Sequence, residues 1–433
     1  MGAPGPLPSR PGEAGRQGRL RWWIGGVICL GMAVNYLDRQ VLSVLAPEIR
    51  DAFQLTNSDY ARIVFAFQLS YMFSSGVGGR LADFIGVRVG YALMMAFWSA
   101  VSMLHALSTG AVSLMVYRFL LGLGEGGAFP AGIKAVSEWF PRRERALGVG
   151  LLNASLSIGG IVAPPLTVFV ALRFGWRAAF FIIGSLGFLW LFVWLPIYRR
   201  PEQHSRLSPE ELAWIRSDSV AAADLDRPIR TLELFRFPQI RGLTIARLIA
   251  DPPWQFYMFW LPEYLRRVRG MELAEIGMLA WLPFLFGAIG SAAGGWASGY
   301  LIQKGKSPVS ARKIVMTVAA ALMPAGILAA LAPNGVLAVA WVCVAAVGHV
   351  SWVSNAQTLP ADVLPSRIVG TALGVTQAAG YVGNLIVTLV IGYVLDRFSY
   401  FPVFCVAGLL HPAATIILLK TFRRTERLTE HFT

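Results

Sequence analysis

The chain has 433 residues, of which 55% are hydrophobic and only 14% charged, with a mean hydropathy of +0.57. Soluble domains carry about 25% charged residues, so the composition excludes an ordinary soluble fold and points to a helical membrane protein of many spans. A net charge of +14 would suit nucleic acid, but no soluble stretch is long enough to build a basic binding face.

Apolar runs recur along the chain, each able to cross ~30 Å of hydrocarbon. They are continuous and do not alternate, which excludes a β-barrel. Residues 1–21, rich in Pro, Gly and Arg, read as a disordered cytoplasmic tail. The first apolar run begins at Trp22 and continues as a span without a small-residue cleavage site, so no signal peptide is expected. A six-helix bundle is expected over 22–197, with spans at roughly 22–45, 60–82, 86–108, 111–136, 145–170 and 176–197. A polar cytoplasmic linker, 198–239, should hold an amphipathic helix over Ser208–Ile215, with Ser208 as N-cap and Pro209 at its first position. A second bundle is expected over 240–421, with spans at roughly 240–265, 275–302, 312–332, 334–358, 368–395 and 400–421, before a cytoplasmic tail at 422–433. Of the 38 Lys and Arg, 26 fall on the linker side, 8 on the opposite side and four within spans. That bias places both termini in the cytoplasm of a multi-pass inner (plasma) membrane protein.

Two acid–base couples interrupt the spans. Asp38 and Arg39 are adjacent in the first. Arg118 and Glu125, in the fourth, are two helical turns apart and share a face. A charge at bilayer depth costs at least a few kcal/mol, and ~10 by some estimates. Such groups therefore pair, face aqueous cavities and relay ions, which makes ion-coupled transport the first hypothesis. The competing reading is that Arg118 and Glu125 only lock helices together. Glu125 is the candidate proton carrier and Asp38 the second, unless Asp38 is a fixed counter-ion for Arg39. Gly122, Gly124, Gly126 and Gly127 suggest close helix packing, since no strand or lysine–serine pair supports a nucleotide loop. Lys134, near the linker-side end of its span, is expected to snorkel to the interface.

In the second half, Pro252 and Pro253 must break the seventh helix. Arg247 and Asp251, one turn apart, read as a charge pair at a gate, with Arg247 also in reach of a substrate. His349 is read as a lone intramembrane histidine, either a proton relay or a satisfied structural residue. Ser351, Trp352, Ser354 and Asn355 form a polar patch around a ring suited to stack on a sugar, or a packing surface. Asn153 and Gln377 are amides that seek partners in hydrocarbon; Asn384, seven residues after Gln377, shares its face or ties helices. Cys29, Cys343 and Cys405 fit as packing residues, with no metal-ligand clustering. No catalytic triad or ATPase motif is present, so neither an enzyme nor a cofactor is expected, and a proton gradient would supply the energy.

The halves look duplicated. Glu138-Trp139-Phe140-Pro141 precedes the fifth span and Asp362-Val363-Leu364-Pro365 the eleventh, 224 residues on; each leads into Ala-Leu-Gly, at Ala146 and Ala372. Parallel repeats of this kind put a substrate site between the halves near the midplane.

The loop Gly79-Arg80-Leu81-Ala82-Asp83-Phe84-Ile85-Gly86-Val87-Arg88 resembles the cytoplasmic signature of the major facilitator superfamily. There Asp83 can cap a neighbouring helix and pair with a basic residue, in a contact that breaks and re-forms as the halves rock. The second copy, Gly294-Gly295-Trp296-Ala297-Ser298-Gly299, lacks the acid. Asn35-Tyr36-Leu37-Asp38-Arg39 and the stretch from Arg118 through Glu125 to Pro130 resemble the anion:cation symporter family. Pro130 to Pro141, Ile161 to Leu166, and Arg247 to Trp254 with Phe259-Trp260-Leu261-Pro262 are most similar to bacterial hexuronate transporters. The likeness covers about Leu20 to Lys420.

The resemblance implies twelve helices in two pseudo-symmetric six-helix bundles, proton symport and an anionic sugar-acid substrate, with a monomer as the unit. An acid at Asp38 is a departure toward galactonate-type carriers, which keeps an aldonate open beside galacturonate and glucuronate; uniport or exchange also stays open. It implies Arg39 as the carboxylate ligand, by its planar fork, unless it merely pairs an acid. Tyr36 and Tyr71, on spans expected to line the cavity, read as hydroxyl partners of the sugar or else as packing and interface anchors. With them Asn153, Ser351, Trp352, Asn384 and Gln377, the last where related carriers place an amide ligand, are the candidate sugar partners. Arg118, Asp83, Arg88, Arg247 and Asp251 are the implied charge-pair and gating residues.

Overall fold

The computed structural model describes residues 20–216, 231–364 and 366–422. Of the tails expected over 1–21 and 422–433, residues 1–19 and 423–433 lie outside the described residues, as does the centre of the linker, while Leu20 and Arg21 already belong to the first helix. The first half runs through α1 (Leu20–Val44), α2 (Ala46–Phe53), α3 (Asn57–Ile85), α4 (Val87–Leu104), α5 (Ala111–Glu125), α6 (Ala128–Trp139), α7 (Arg142–Phe174) and α8 (Trp176–Ile197). The linker carries α9 (Pro209–Arg216). The second half follows as α10 (Pro238–Ala250), α11 (Pro252–Arg267), α12 (Leu273–Leu279), α13 (Leu282–Gln303), α14 (Pro308–Leu322), α15 (Ala325–Leu331), α16 (Gly335–Val363), α17 (Ser366–Arg397) and α18 (Tyr400–Thr421).

These helices make the twelve spans, because four spans are each split in two: α5–α6, α10–α11, α12–α13 and α14–α15. Nine stretches of described helix are long and apolar enough to cross a membrane unaided. The other three spans, α3, α5–α6 and α10–α11, are those interrupted by charge, glycine or proline. The break at Pro252 was legible in the sequence. The breaks after Glu125, Leu279 and Leu322 were not expected, although Gly126-Gly127, Pro283 and Pro324 stand at them.

Local chemistry sets the helix ends. Thr56 and Asp59 close a capping box on α3, Asn334 caps α16, and Ser208 Oγ accepts from Glu211 N at 3.2 Å on α9 as expected. Single glycines turn α3 into α4 and α7 into α8. Gly86 and Gly175 both sit at φ 82°, where a side chain would be strained.

In the first half α1 packs on α7, α3 on α5 and α4 on α8; in the second α10 packs on α17 and α13 on α16. This repeat is written in glycine. A Cβ on Gly159 of α7 would lie 2.5 Å from the Ala33 carbonyl of α1, and one on Gly383 of α17 would meet the Leu248 carbonyl of α10. The two glycines are 224 residues apart, the offset of the sequence repeat.

The halves meet at the end of the bundle that carries α2. Arg50 Nη1 donates to Glu263 Oε1 at 2.5 Å, both side chains being buried. Arg267 joins Glu263 at 3.1 Å and also pairs with Asp51. Asp396 accepts from the backbone N–H groups of Asn57 and Ser58 at 2.9 and 3.0 Å, capping the start of α3 from the other half. Tyr60 Oη and Ser43 Oγ donate to the carbonyls of Phe259 and Met258. The hydrogen bonds and ion pairs joining the halves between described residues all lie at this end or at mid-depth. The bundle is therefore closed here and parted toward the end that carries the linker.

Breaking a buried ion pair by neutralising one member costs about 3–5 kcal/mol. Glu263→Gln is thus expected to depopulate the closed arrangement. Spin labels at the exposed Arg62 and Arg397, on α3 and α17, should report longer distances; an unchanged distance distribution would remove the Arg50–Glu263 pair from gating.

Candidate functional site

A cavity of about 630 Å³ lies between the halves. Tyr36 of α1, Trp254 of α11 and Phe284 of α13 line it at mid-depth, where Phe284 packs edge-on against both Tyr36 and Trp254. Asn153 and Ser157 of α7 face Ser354, Gln357 and Thr358 of α16 across it, toward the linker-side end.

The charged centre adjoins Tyr36. Arg39 Nε and Nη2 both donate to Glu125 Oε2 at 3.2 Å, and Nη2 also reaches Asn35 Oδ1 at 3.3 Å. The guanidinium stands 4.5 Å from the Tyr71 ring centroid and 5.3 Å from those of Tyr36 and Phe67. Glu125 is fully buried, and its Oε1 has no partner. The glycine run explains how a carboxylate arrives here. A Cβ on Gly122 would lie 2.5 Å from the Phe67 carbonyl, and one on Gly126 2.6 Å from that of Tyr71. Those glycines seat α5 directly on α3, and α5 ends at Glu125 against α1.

The expected pairings are corrected. Arg118 does not pair with Glu125 among the described ion pairs; its Nη1 donates to the Arg39 carbonyl at 3.3 Å. Two turns separate the two residues by about 10 Å along the axis, so a shared face is not contact. Asp38 does not pair with Arg39 either, because neighbours on a helix point about 100° apart. Asp38 Oδ1 instead accepts from Ser102 Oγ of α4 at 3.1 Å, with Oδ2 buried and unpartnered.

Other candidates divide between the cavity and its walls. Tyr71 faces Tyr381 of α17 at 6.1 Å, and Tyr381 Oη accepts from Gln377 Nε2 at 3.4 Å. Both Gln377 and Asn153 are exposed, and Asn153 Nδ2 donates to the Val149 carbonyl at 3.0 Å. Asn384 is buried, with an unpartnered Oδ1. The α16 patch splits by helical phase. Ser354 reaches the cavity and bonds Ser291 at 2.9 Å. Ser351 is buried, its carbonyl taken by Asn355 Nδ2.

Trp352 does not offer its ring to the cavity in this conformation. It is fully buried, and its Nε1 donates to Thr415 Oγ1 of α18 at 2.8 Å. His349 is not alone: its Nδ1 lies 3.1 Å from Nε2 of His411 on α18. Lys134 does not simply snorkel, since its Nζ donates to Asp83 Oδ1 at 2.5 Å and to the Ala82 carbonyl at 2.9 Å. Asp83 thus pairs within its own half. Arg88 donates to the Leu195 carbonyl, and Arg247 holds Asp251 Oδ2 at 2.7 Å. Sequence reasoning missed Tyr381, Ser291, Gln357 and His411. Ser291 and His411 are isolated in apolar runs with partners 63 and 62 residues away, whereas Gln357 beside Asn355 and Tyr381 one turn after Gln377 adjoin residues already singled out.

Residues 28–388 match the family model of the Major Facilitator Superfamily. The chain belongs to this superfamily of membrane transporters. It is 30% identical over 403 residues to the hexuronate transporter of Escherichia coli (strain K12), covering 92% of this chain and 93% of that one. It is 34% identical over 308 residues to the galacturonate transporter of Dickeya chrysanthemi, at 70% and 89% coverage. The D-galactonate transporter of Escherichia coli O6:H1 is 27% identical over 421 residues, at 94% and 97% coverage. The likeness to hexuronate carriers seen in the motifs therefore extends over the whole superfamily fold. Among solved structures, the D-xylose-proton symporter superposes with a TM-score of 0.74 at 16% identity, covering 94% of this chain and 99% of that one. That match confirms the fold.

The close approach of α5 to α3 gives a direct test. Gly122→Ala forces a Cβ into the Phe67 carbonyl and should destabilise the purified protein by roughly 1–3 kcal/mol. Gly150→Ala, with nothing within 4 Å, should not lower its thermal melt, since Ala is the better helix former. Equal melts for both variants would refute the packing account.

Proposed function

We propose that this chain is a proton-coupled importer of an anionic sugar acid, hexuronate first and an aldonate such as galactonate next. It works by alternating access in the inner (plasma) membrane, with both chain ends in the cytoplasm and a single chain as the transporting unit. On that orientation the closed end faces outward and the cavity opens inward. The observation that carries the reading is the Arg39–Glu125 pair, buried between helices beside a cavity that separates the halves.

Both Arg39 nitrogens use one oxygen of Glu125, and the other oxygen is unpartnered. A proton taken on Oε1 removes the charge that holds Arg39. The planar guanidinium then receives the substrate carboxylate in its fork. The net charge of the site is the same before and after, so proton and anion each favour the binding of the other. Asp38, with its own unpartnered oxygen, is the second proton site. Tyr36, Tyr71, Asn153 and Gln377 meet the hydroxyls, while Ser351, Trp352 and Asn384 brace the wall behind them.

The gating roles follow from the same geometry. Arg118 holds the α1 backbone at Arg39. The Arg247–Asp251 pair stands where Gly380 lets α17 approach α10. Asp83 with Lys134, and Arg88 with the Leu195 carbonyl, keep the α3–α4 loop on the first half while that end is parted. The relatives named for hexuronate, galacturonate and galactonate support the substrate class.

Arg39→Lys keeps the charge and loses the fork. A hydrogen bond to a charged group is worth roughly 1.5–3 kcal/mol, so affinity should fall about ten- to a hundredfold; an unchanged isotherm would make Arg39 structural. In competition uptake, galacturonate and glucuronate should displace each other while galactose and glucose do not. Equal competition by the neutral sugars would end the carboxylate argument, and competition by aldonates alone would move the substrate to the second choice.

A further inference from the structure

His349 is the histidine at the cavity wall, and the coupling scheme does not use it. Its ring stacks on Trp254, with centroids 5.4 Å apart and planes 9° apart, and both rings line the cavity with Tyr36. Its Nδ1 is committed to His411 Nε2 at 3.1 Å, which leaves Nε2 for a ligand. His411 is fully buried, packed edge-on against Trp352 at 5.3 Å, and its Nδ1 has no partner.

A bond between two imidazoles needs one to donate and the other to accept. If His411 Nε2–H donates, His349 carries its proton on Nε2 and presents a donor to the cavity. If His349 Nδ1–H donates, Nε2 is bare and presents an acceptor. The unpartnered Nδ1 of His411 favours neither arrangement by a hydrogen bond of its own. A sugar hydroxyl is itself donor and acceptor, and its orientation differs between epimers.

We propose that His349 Nε2 is a substrate-hydroxyl ligand and that His411 acts as a positioning residue, letting this nitrogen donate or accept so that one site accepts sugar acids epimeric at that hydroxyl. The proposal builds on the sugar-acid reading and adds to it a named contact and a reason for relaxed stereochemistry. Trp254 supplies the flat apolar face for the C–H side of the sugar ring.

Binding of galacturonate, glucuronate and their monodeoxy analogues to the purified transporter tests it. His349→Phe keeps the ring against Trp254 and removes both nitrogens. Both acids should bind about two- to tenfold more weakly, as for one neutral hydrogen bond. The deoxy analogue that lacks the contacted hydroxyl should bind wild type and variant alike. His349→Gln, which restores a donor and an acceptor, should recover most of the affinity and controls for folding. His411→Phe should retain binding but change the galacturonate-to-glucuronate ratio, which a packing role would not move. Wild-type affinities and an unchanged deoxy profile in His349→Phe, or an unchanged epimer ratio in His411→Phe, would overturn the proposal while leaving the substrate reading intact. Failure of wild type to bind any sugar acid would overturn both.

Discussion

The ion pair between Arg39 and Glu125 is the constraint around which the rest of the structure is arranged. Two charges taken out of water lose several kcal/mol of hydration each, and their attraction repays this only with good geometry and further partners. Arg39 has those partners: the Asn35 amide and the faces of Tyr36, Phe67 and Tyr71. Cation–π contacts are worth ~2 kcal/mol each when desolvated, so the guanidinium stays solvated by rings when its carboxylate is neutralised. Glu125 has fewer supports, with one oxygen unpartnered. The asymmetry is what the proposed coupling uses, with the acid as the member of the pair that would take the proton.

The glycines that let α5 press onto α3 also place Glu125 against Arg39 of α1, because a side chain at Gly122 or Gly126 would collide with the α3 backbone. The break after Glu125 then frees the chain to continue as α6 toward Lys134 and the loop at Asp83. The opposite end of the bundle is held by another buried carboxylate, Glu263, shared between Arg50 and Arg267. The central pair sits within one half, whereas the Glu263 network spans both. On the proposed function the first would sense ligand and proton, while the second joins the halves.

The fold was largely legible in the sequence, since apolar length and the 224-residue repeat are one-dimensional signals. So was the identity of the charged residues, because a charge in an apolar run is conspicuous. Their pairing was not. Arg118 with Glu125 and Asp38 with Arg39 are natural partners along the chain, yet helical phase sends Arg39 to Glu125 and Asp38 to Ser102. Trp352 misled for the same reason: it is two residues from Ser354, which reaches the cavity, but it points at Thr415 of α18. His411 gave no signal, because its partner is 62 residues away. The breaks after Glu125, Leu279 and Leu322 fall at Gly126-Gly127, Pro283 and Pro324, breaker residues that were passed over because the apolar run continues on both sides.

The central claim is that the substrate carboxylate replaces Glu125 on Arg39 as Glu125 takes a proton. Its most direct test is proton uptake when substrate is added to the purified transporter in weakly buffered solution with a pH indicator. The account predicts that wild type takes up protons in proportion to the anion bound and that Glu125→Gln binds the anion without that component. Saturable anion binding by wild type with no proton uptake, or with uptake unaltered in Glu125→Gln, would contradict it.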